Sequence, residues 1–314
     1  MSFDNVVKHS STAIGTSMKF QRSNATVKVD DLYTDETNSV LIVRLTATDE
    51  DFSKLPFKGS DYDVYLKSSA FSGLEQVSVL FGKFSTDGDM FLVIPKPNKD
   101  IYSIAIMNTK YVAGSVDSSS SSSSSSSSKG PQSLSQEQIN PSSDKSAVKK
   151  SLTNALSSYK YDDSEGQAGV IQLKSDQYDW IAFRVTLDPA FKDDPAYKVK
   201  TLPGTLLDDN GDFDFEGFFN KAFKNASMDA LSTEYTELES QKSLLNSRKA
   251  ELEERLDVNP DDTSATNSLD ETKKSIEKLE SQQSSIVEQL NLYEKVTYSP
   301  SYFQNLQTTA TVVS

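Results

Sequence analysis

From about residue 18 to residue 112, apolar and polar positions alternate in short runs: "ATVKVDDLYT", "SVLIVRLTATD", "DYDVYLKSS", "QVSVLFGKFS", "MFLVIPKP" and "YSIAIMNTK". Successive side chains on a strand point to opposite faces, so this period of two predicts about six or seven strands. In "SVLIVRLTATD", Leu41, Val43, Leu45 and Ala47 make one wholly apolar face, whereas Arg44 and Thr46 share the other with Val40 and Ile42. Asp87-Gly88 between two apolar runs predicts a tight hairpin turn, because both central residues of that turn need positive φ. Pro95 and Pro97 remove ladder donors and place the end of their run at a sheet edge or in a loop. Short connections without a long helix predict an antiparallel β-sandwich or barrel over residues 18–113, preceded by a flexible amino terminus over 1–17.

The alternation stops at residues 114–142, a Ser-rich stretch with an unbroken serine run from Ser118 to Ser128. Such a run has no apolar face whose burial offsets the entropy of ordering, so it predicts a disordered linker with an average span of about 30 Å. Residues 143–225 then predict a small mixed α/β domain. "SDKSAVKKSLTNALSSYKY" has a capping residue at Ser143 or Asp144 and a stripe of Val148, Leu152, Ala155 and Leu156, and "AGVIQLKSDQYDWIAFRVTLDP" returns to strand character around Trp180.

From residue 226 the period changes to seven. Leu231, Leu238, Leu245 and Leu252 occupy one seam position of a heptad repeat, with Tyr235 and Leu256 at the other. Lys242 and Lys249 interrupt that second position. Pro260 biases Asn259 away from helical geometry and ends the helix. A second helix carries Leu269, Ile276, Gln283 and Leu290 at one seam position and Thr272, Leu279, Ile286 and Tyr293 at the other. Folding the helices on each other about Asn259-Pro260 sets Leu252 opposite Leu269, Leu245 opposite Ile276, Tyr235 opposite Ile286 and Leu231 opposite Leu290. Lys242 then lies over Leu279, Lys249 over Thr272 and Leu238 over Gln283. The expectation is an antiparallel coiled-coil hairpin over 226–297 with arms of about 40 Å, followed by a flexible tail over 298–314. Its half-polar middle leaves few apolar layers to offset ordering, which predicts that the seam residues Leu231, Tyr235, Leu238, Leu245, Leu252, Leu269, Ile276, Leu279, Ile286, Leu290 and Tyr293 also serve association with copies of the chain or with another protein.

Candidate chemistry is sparse. The lone histidine, His9, lies in a polar stretch, and there is no cysteine, so neither thiolate metal sites nor a cysteine nucleophile can be assembled. No Gly-rich phosphate loop is present. "LLDDNGDFDFEGFF", residues 206–219, has part of the pattern of a calcium loop around Gly211, but Leu206 stands where the first carboxylate belongs and Gly217 where the bidentate glutamate belongs. A turn followed by an element that docks Phe213, Phe215, Phe218 and Phe219 explains it better, with weak calcium binding as the alternative. Asp212, Asp214 and Glu216 are the carboxylates a hydrolase reading would need.

Composition narrows the partners. The chain of 314 residues has 32 Lys plus Arg against 46 Asp plus Glu, a net charge of −14, so no broad basic surface is available for phosphates, and nucleic acid is not expected as a partner. No run is long and apolar enough for a signal peptide or a membrane span, which predicts cytoplasmic synthesis and no membrane insertion. The expected fold class is therefore α+β and multidomain. The expected role is non-enzymatic and needs no cofactor: a structural or accessory subunit of a bacterial or mobile-element machine, such as a phage particle or conjugation apparatus. The alternative is a surface module on an oligomerising stem that binds carbohydrate or cell-wall polymer.

Overall fold

The computed structural model describes residues 11–84, 89–98, 100–110, 145–157, 170, 171, 173, 178–187, 194 and 196–313. They form two units: one runs to Asp214 and resumes at Pro300, and the other is Phe215–Ser299. The Ser-rich linker, His9, the Asp87-Gly88 turn and the Ser143/Asp144 cap lie outside the described residues.

The first unit is built on β1 (Ser17–Lys19), β2 (Thr26–Asp35), β3 (Val40–Thr46), the short helix α1 (Asp49–Ser53), β4 (Tyr62–Lys67), β5 (Gln76–Phe84), β6 (Asp89–Pro95), β7 (Ile101–Asn108), the helix α2 (Lys145–Ser157), β8 (Asp179–Thr186), β9 (Val199–Leu202) and β10 (Gln307–Val312). The strands form one mixed sheet in the order β1-β2-β3-β6-β5-β10-β4-β7-β8, with β9 also on β2. It curls into a nearly closed, barrel-like body. The outer edge of β8 is covered by irregular chain: the Thr12 N–H donates to the Arg184 carbonyl at 2.8 Å and the Ile171 N–H to the Ala182 carbonyl at 2.9 Å. At its start, the Asp179 carboxylate accepts the N–H groups of Arg22 (2.9 Å) and Ser23 (3.0 Å) and the Asn108 side chain at 2.8 Å.

Alternation fixes which side chains enter the barrel. Leu41, Val43 and Leu45 belong to the interior core with Val27, Val29, Phe81, Leu92, Ile104, Ile106 and Phe183, and Ala47 packs at its margin. Full burial of each such side chain contributes about 1.5–3 kcal/mol. A second apolar cluster covers the other face of the sheet. There Val148, Leu152 and Leu156, one helical turn apart on α2, pack in one cluster with Tyr65, Met107 and Trp180.

Several boundaries differ from the sequence expectation. The sheet is mixed rather than antiparallel, because β9 runs parallel to β2 and β10 parallel to β4. Residues 143–225 are not a domain of their own: β8 pairs with β7 along its whole length, from Asn108 opposite Asp179 to Ile101 opposite Thr186. The Ser-rich stretch thus lies between sequence segments that are sheet neighbours. The tail over 298–314 holds β10, a strand inside the sheet between β5 and β4. In the flexible 1–17 segment, Ser11 and Thr12 are buried and Thr12 is bonded to β8. These joins depend on pairing between distant segments, which a local period of two does not encode.

One irregularity in β2 builds a charge network. The β2–β3 register moves from Val29 opposite Leu45 to Asp31 opposite Arg44, so Asp30 is the extra residue of a bulge. Both aspartates thereby reach Arg44, whose guanidinium lies 3.4 Å from Asp30, 3.6 Å from Asp31 and 2.8 Å from Asp89. Lys200 of β9 pairs with Asp31 at 2.5 Å and Lys28 with Asp30 at 2.8 Å. The Lys200–Asp31 pair joins β9 to β2 by charge as well as by the ladder.

The second unit begins with a helical turn, α3 (Phe215–Phe218), continues through a π-helical stretch (Phe219–Asn225) and then forms α4 (Ala226–Val258) and α5 (Thr263–Lys295). The two long helices pack against each other as the predicted hairpin. At 33 residues each, they are about 50 Å long, longer than the heptad count implied.

Candidate functional site

The hairpin is the element with features beyond what a fold requires. Its tip is closed by Asp262, which caps α5 by accepting the Ala265 N–H at 2.9 Å and takes the Arg255 guanidinium of α4 at 2.6 Å. The Ala265 N–H and Arg255 hold the Asp262 carboxyl below its ordinary range. At the other end the Lys224 ammonium donates to the carbonyls of Glu294 (3.1 Å) and Val296 (3.0 Å), tying the incoming and outgoing chain together. Phe218, Phe219, Phe223 and Tyr298 form an aromatic cluster at that end, with Phe218 and Phe223 5.4 Å apart and Phe219 and Tyr298 6.1 Å apart.

Of the eleven seam residues named from the sequence, Leu238, Leu269, Leu279 and Ile286 are buried. Leu231, Tyr235, Leu245, Leu252, Ile276, Leu290 and Tyr293 are half-buried. Leu231, Tyr235, Leu245 and Leu290 pack directly on the Leu238–Leu279–Ile286 cluster. These side chains therefore contribute to the pairing of α4 with α5.

The polar middle of the seam is also internally satisfied. Gln283 of α5 is buried; its amide donates to Glu239 Oε2 at 2.6 Å and its carbonyl oxygen accepts from Lys242 Nζ at 3.1 Å. Lys242 and Glu239 are 3.4 Å apart. The hydrogen bond from Gln283, ahead of the nearby Lys242 charge, holds the Glu239 carboxyl below its usual range. Thr272 is buried and bonds the Ser268 carbonyl of its own helix at 2.7 Å.

Apolar side chains that the heptad pattern did not single out face away from the seam. Leu244 is 73% exposed, Val258 84%, Leu292 64% and Val287 44%. Leu244 and Val258 are two heptads apart on α4 and line, with Arg248, Glu251 and Arg255, a shallow groove of about 820 Å³ toward the tip. The signal was in the sequence: an apolar residue outside the seam of an otherwise polar helix.

The other candidates are occupied by structural roles. Residues 208–212 make a turn in which Asp208 accepts the N–H groups of Asn210 and Asp212, each at 2.9 Å. Backbone donation from Asp212, then from Asn210, lowers its pKa. Asp214 donates its N–H to the Leu206 carbonyl at 2.8 Å, while Asp212 and Glu216 are exposed. Among the described residues no three His, Cys, Asp or Glu side chains converge on a point that could hold a metal ion. A cleft of about 420 Å³ lies beside β1 and β8, bounded by Lys19, Gln21, Thr26, Ile171 and Trp180. The Trp180 indole N–H donates to Gln21 Oε1 at 3.1 Å, and the ring is buried.

Lys83 of β5 is a group that sequence reasoning missed. It is buried, lies 3.4 Å above the Phe52 ring and donates to the carbonyls of Phe52 (3.3 Å) and Leu55 (3.2 Å). Burial lowers its pKa to about 8. Among the described residues no helix is long and apolar enough to cross a membrane. No protein-family profile, curated protein or solved structure matches the chain.

Proposed function

We propose that the chain is a non-catalytic interaction protein, an assembly or accessory subunit of a bacterial or mobile-element machine, in which the helical hairpin takes a protein partner on the faces left outside its seam. The observation that supports this is the set of exposed apolar side chains, Leu244, Val258, Val287 and Leu292, on two otherwise polar helices. Exposed apolar residues scattered singly are ordinary, but Leu244 and Val258 line one groove rimmed by Arg248, Glu251 and Arg255, and an apolar surface with a polar rim is the kind that a protein partner covers. The 33-residue helices supply a long contact surface that the barrel-like body does not need for its own core. The net charge of −14 favours a basic or neutral protein surface over an acidic one.

The test replaces residues 228–297 with a short Gly/Ser loop, which the proximity of Lys224 to Val296 permits. Proteins retained by full-length and shortened chains in the native cells are then compared by mass spectrometry. The reading requires a defined set of proteins to be lost with the hairpin while the body keeps its cooperative thermal transition. An unchanged retained set with a folded body sinks it, and attention then moves to the barrel.

A further inference from the structure

We infer that Glu239, Lys242 and Gln283 form a selectivity layer that restricts the seam to one pairing, α4 with α5 in a single register, and excludes additional helices from it. Gln283 is buried between apolar neighbours yet uses both ends of its amide: its Nε2 donates to Glu239 at 2.6 Å and its Oε1 accepts from Lys242 at 3.1 Å. Leu279 and Ile286 lie one helical turn to either side of it on α5, and Leu238 packs in the same cluster. A slip of one heptad replaces Glu239 and Lys242 around this amide by Ser232 and Tyr235 in one direction and by Asn246 and Lys249 in the other, so the charged acceptor for the buried Nε2 is lost either way. A polar group at a single core position of a coiled coil fixes register and helix number in this way, at a cost in stability.

The same layer acts against larger bundles. The Lys242 side chain is 21% exposed and that of Glu239 53%, so both charges still reach water beside the seam. A third or fourth helix closing over the seam would remove that water, and the mutual attraction of the two charges would have to offset their full desolvation. Copies of the chain are therefore kept out of the seam, and any partner is left the outer faces. This inference stands on the geometry of the pairing and holds whether or not the proposed interaction role does.

The experiment uses the full chain and compares wild type, the double variant Lys242→Leu/Gln283→Leu, and Gln283→Ala. Sedimentation velocity over a concentration series is read alongside helical circular dichroism during heating. The apolar double variant is expected to melt at a higher temperature and to self-associate at a concentration about tenfold or more below wild type, because its seam no longer discriminates. Gln283→Ala, which removes both cross-helix bonds without adding apolar surface, is expected to melt lower with no gain in association. Self-association of the double variant at the wild-type concentration, or loss of its helicity, overturns the inference. So does an equal gain in association by Gln283→Ala, since loosening alone would then explain it.

Discussion

Leu306 lies against Gly82, so close that a Cβ on that glycine would overlap the leucine's Cδ2 atom. The contact sits where the chain enters β10, and Gly59 shapes the same crossing: its Cβ would meet the carbonyl oxygens of Phe81 and Asn305, while the Ser60 N–H donates to the Asn305 carbonyl at 2.8 Å. Asn305 itself turns with φ of 55°, in the left-handed region that asparagine tolerates better than most residues. Two glycines and one asparagine thus make room for a strand that arrives from the far end of the chain.

The two glycines should not be equivalent. At Gly82 the added methyl meets the far end of a flexible side chain, which can move. At Gly59 it meets backbone oxygens, which cannot move without disturbing β5. Gly59→Ala is expected to lose about 1–3 kcal/mol of stability, and Gly82→Ala less than that. Urea unfolding followed by tryptophan fluorescence checks the order, and equal losses would remove the argument from the crossing.

Much of the first unit was legible because its information is local. The alternation in "SVLIVRLTATD" fixed the face of β3 that enters the core, and Leu41, Val43 and Leu45 line it. The hairpin was legible for the same reason, since a period of seven is written on each helix separately. The place of β10 in the sheet was not legible. Only Ala310 and Val312 of its six residues are buried, and its partners lie more than 200 residues away in sequence. Membership of β8 was hidden by the intervening serines, which read as a boundary between domains although the flanking strands are ladder neighbours. At the candidate site, seam positions followed from the heptad, whereas the pairing of Gln283 with Glu239 and Lys242 depends on side-chain reach across helices, and a pattern of apolar positions contains no term for that.

Asp35 gives a prediction with a defined direction in pH. Its carboxylate is buried at the β2–β3 turn and accepts the N–H groups of Ser39 (2.7 Å) and Leu206 (2.9 Å) as well as the hydroxyl of Thr37 at 3.0 Å. Burial pushes its pKa up, but the hydrogen bonds from Ser39, Leu206 and Thr37 outweigh it and the folded value lies below the ordinary one. The ionised form is therefore favoured by folding. This contribution is fully present above the unfolded value of about 3.9 and is lost as pH falls through the folded value. Asp35→Ala should lose about 1–3 kcal/mol at neutral pH, and its deficit against wild type should shrink below pH 4. A deficit that stays constant with pH would show that the carboxylate charge is not what matters.

Lys83 shifts stability in the same direction with pH but over a higher range, and here folding disfavours the charged form. Its folded pKa of about 8 lies below the unfolded lysine value of about 10.4, so between these limits the unfolded chain binds the extra proton. Stability contributed by this residue therefore rises with pH over that window. Lys83→Met has nothing to titrate there. Denaturation midpoints at pH 7.5 and 9.5 should move upward in wild type relative to the variant. The Phe52 and Leu55 carbonyls lose their donor in the variant, so its absolute stability is a poorer guide than the difference in slope.

The hairpin separates residues that hold it together from residues that remain available to a partner. Ile286 is 3% exposed and packs with Leu238 and Leu279, whereas Leu244 is 73% exposed on the outer side of α4. Ile286→Ala removes buried volume from a thin seam that has no further layer to collapse onto it, and a loss of about 2–4 kcal/mol is expected. Leu244→Ala and Val258→Ala remove exposed groups and should stay within about 0.5 kcal/mol of wild type. Helical circular dichroism during heating measures both. The same variants then address the interaction reading. If the proteins retained by the full-length chain are lost with Leu244→Ala or Val258→Ala while the melting curve is unchanged, the outer face carries the contact. If they are lost only with Ile286→Ala, retention follows hairpin folding alone, and the exposed leucine and valine have no part in it.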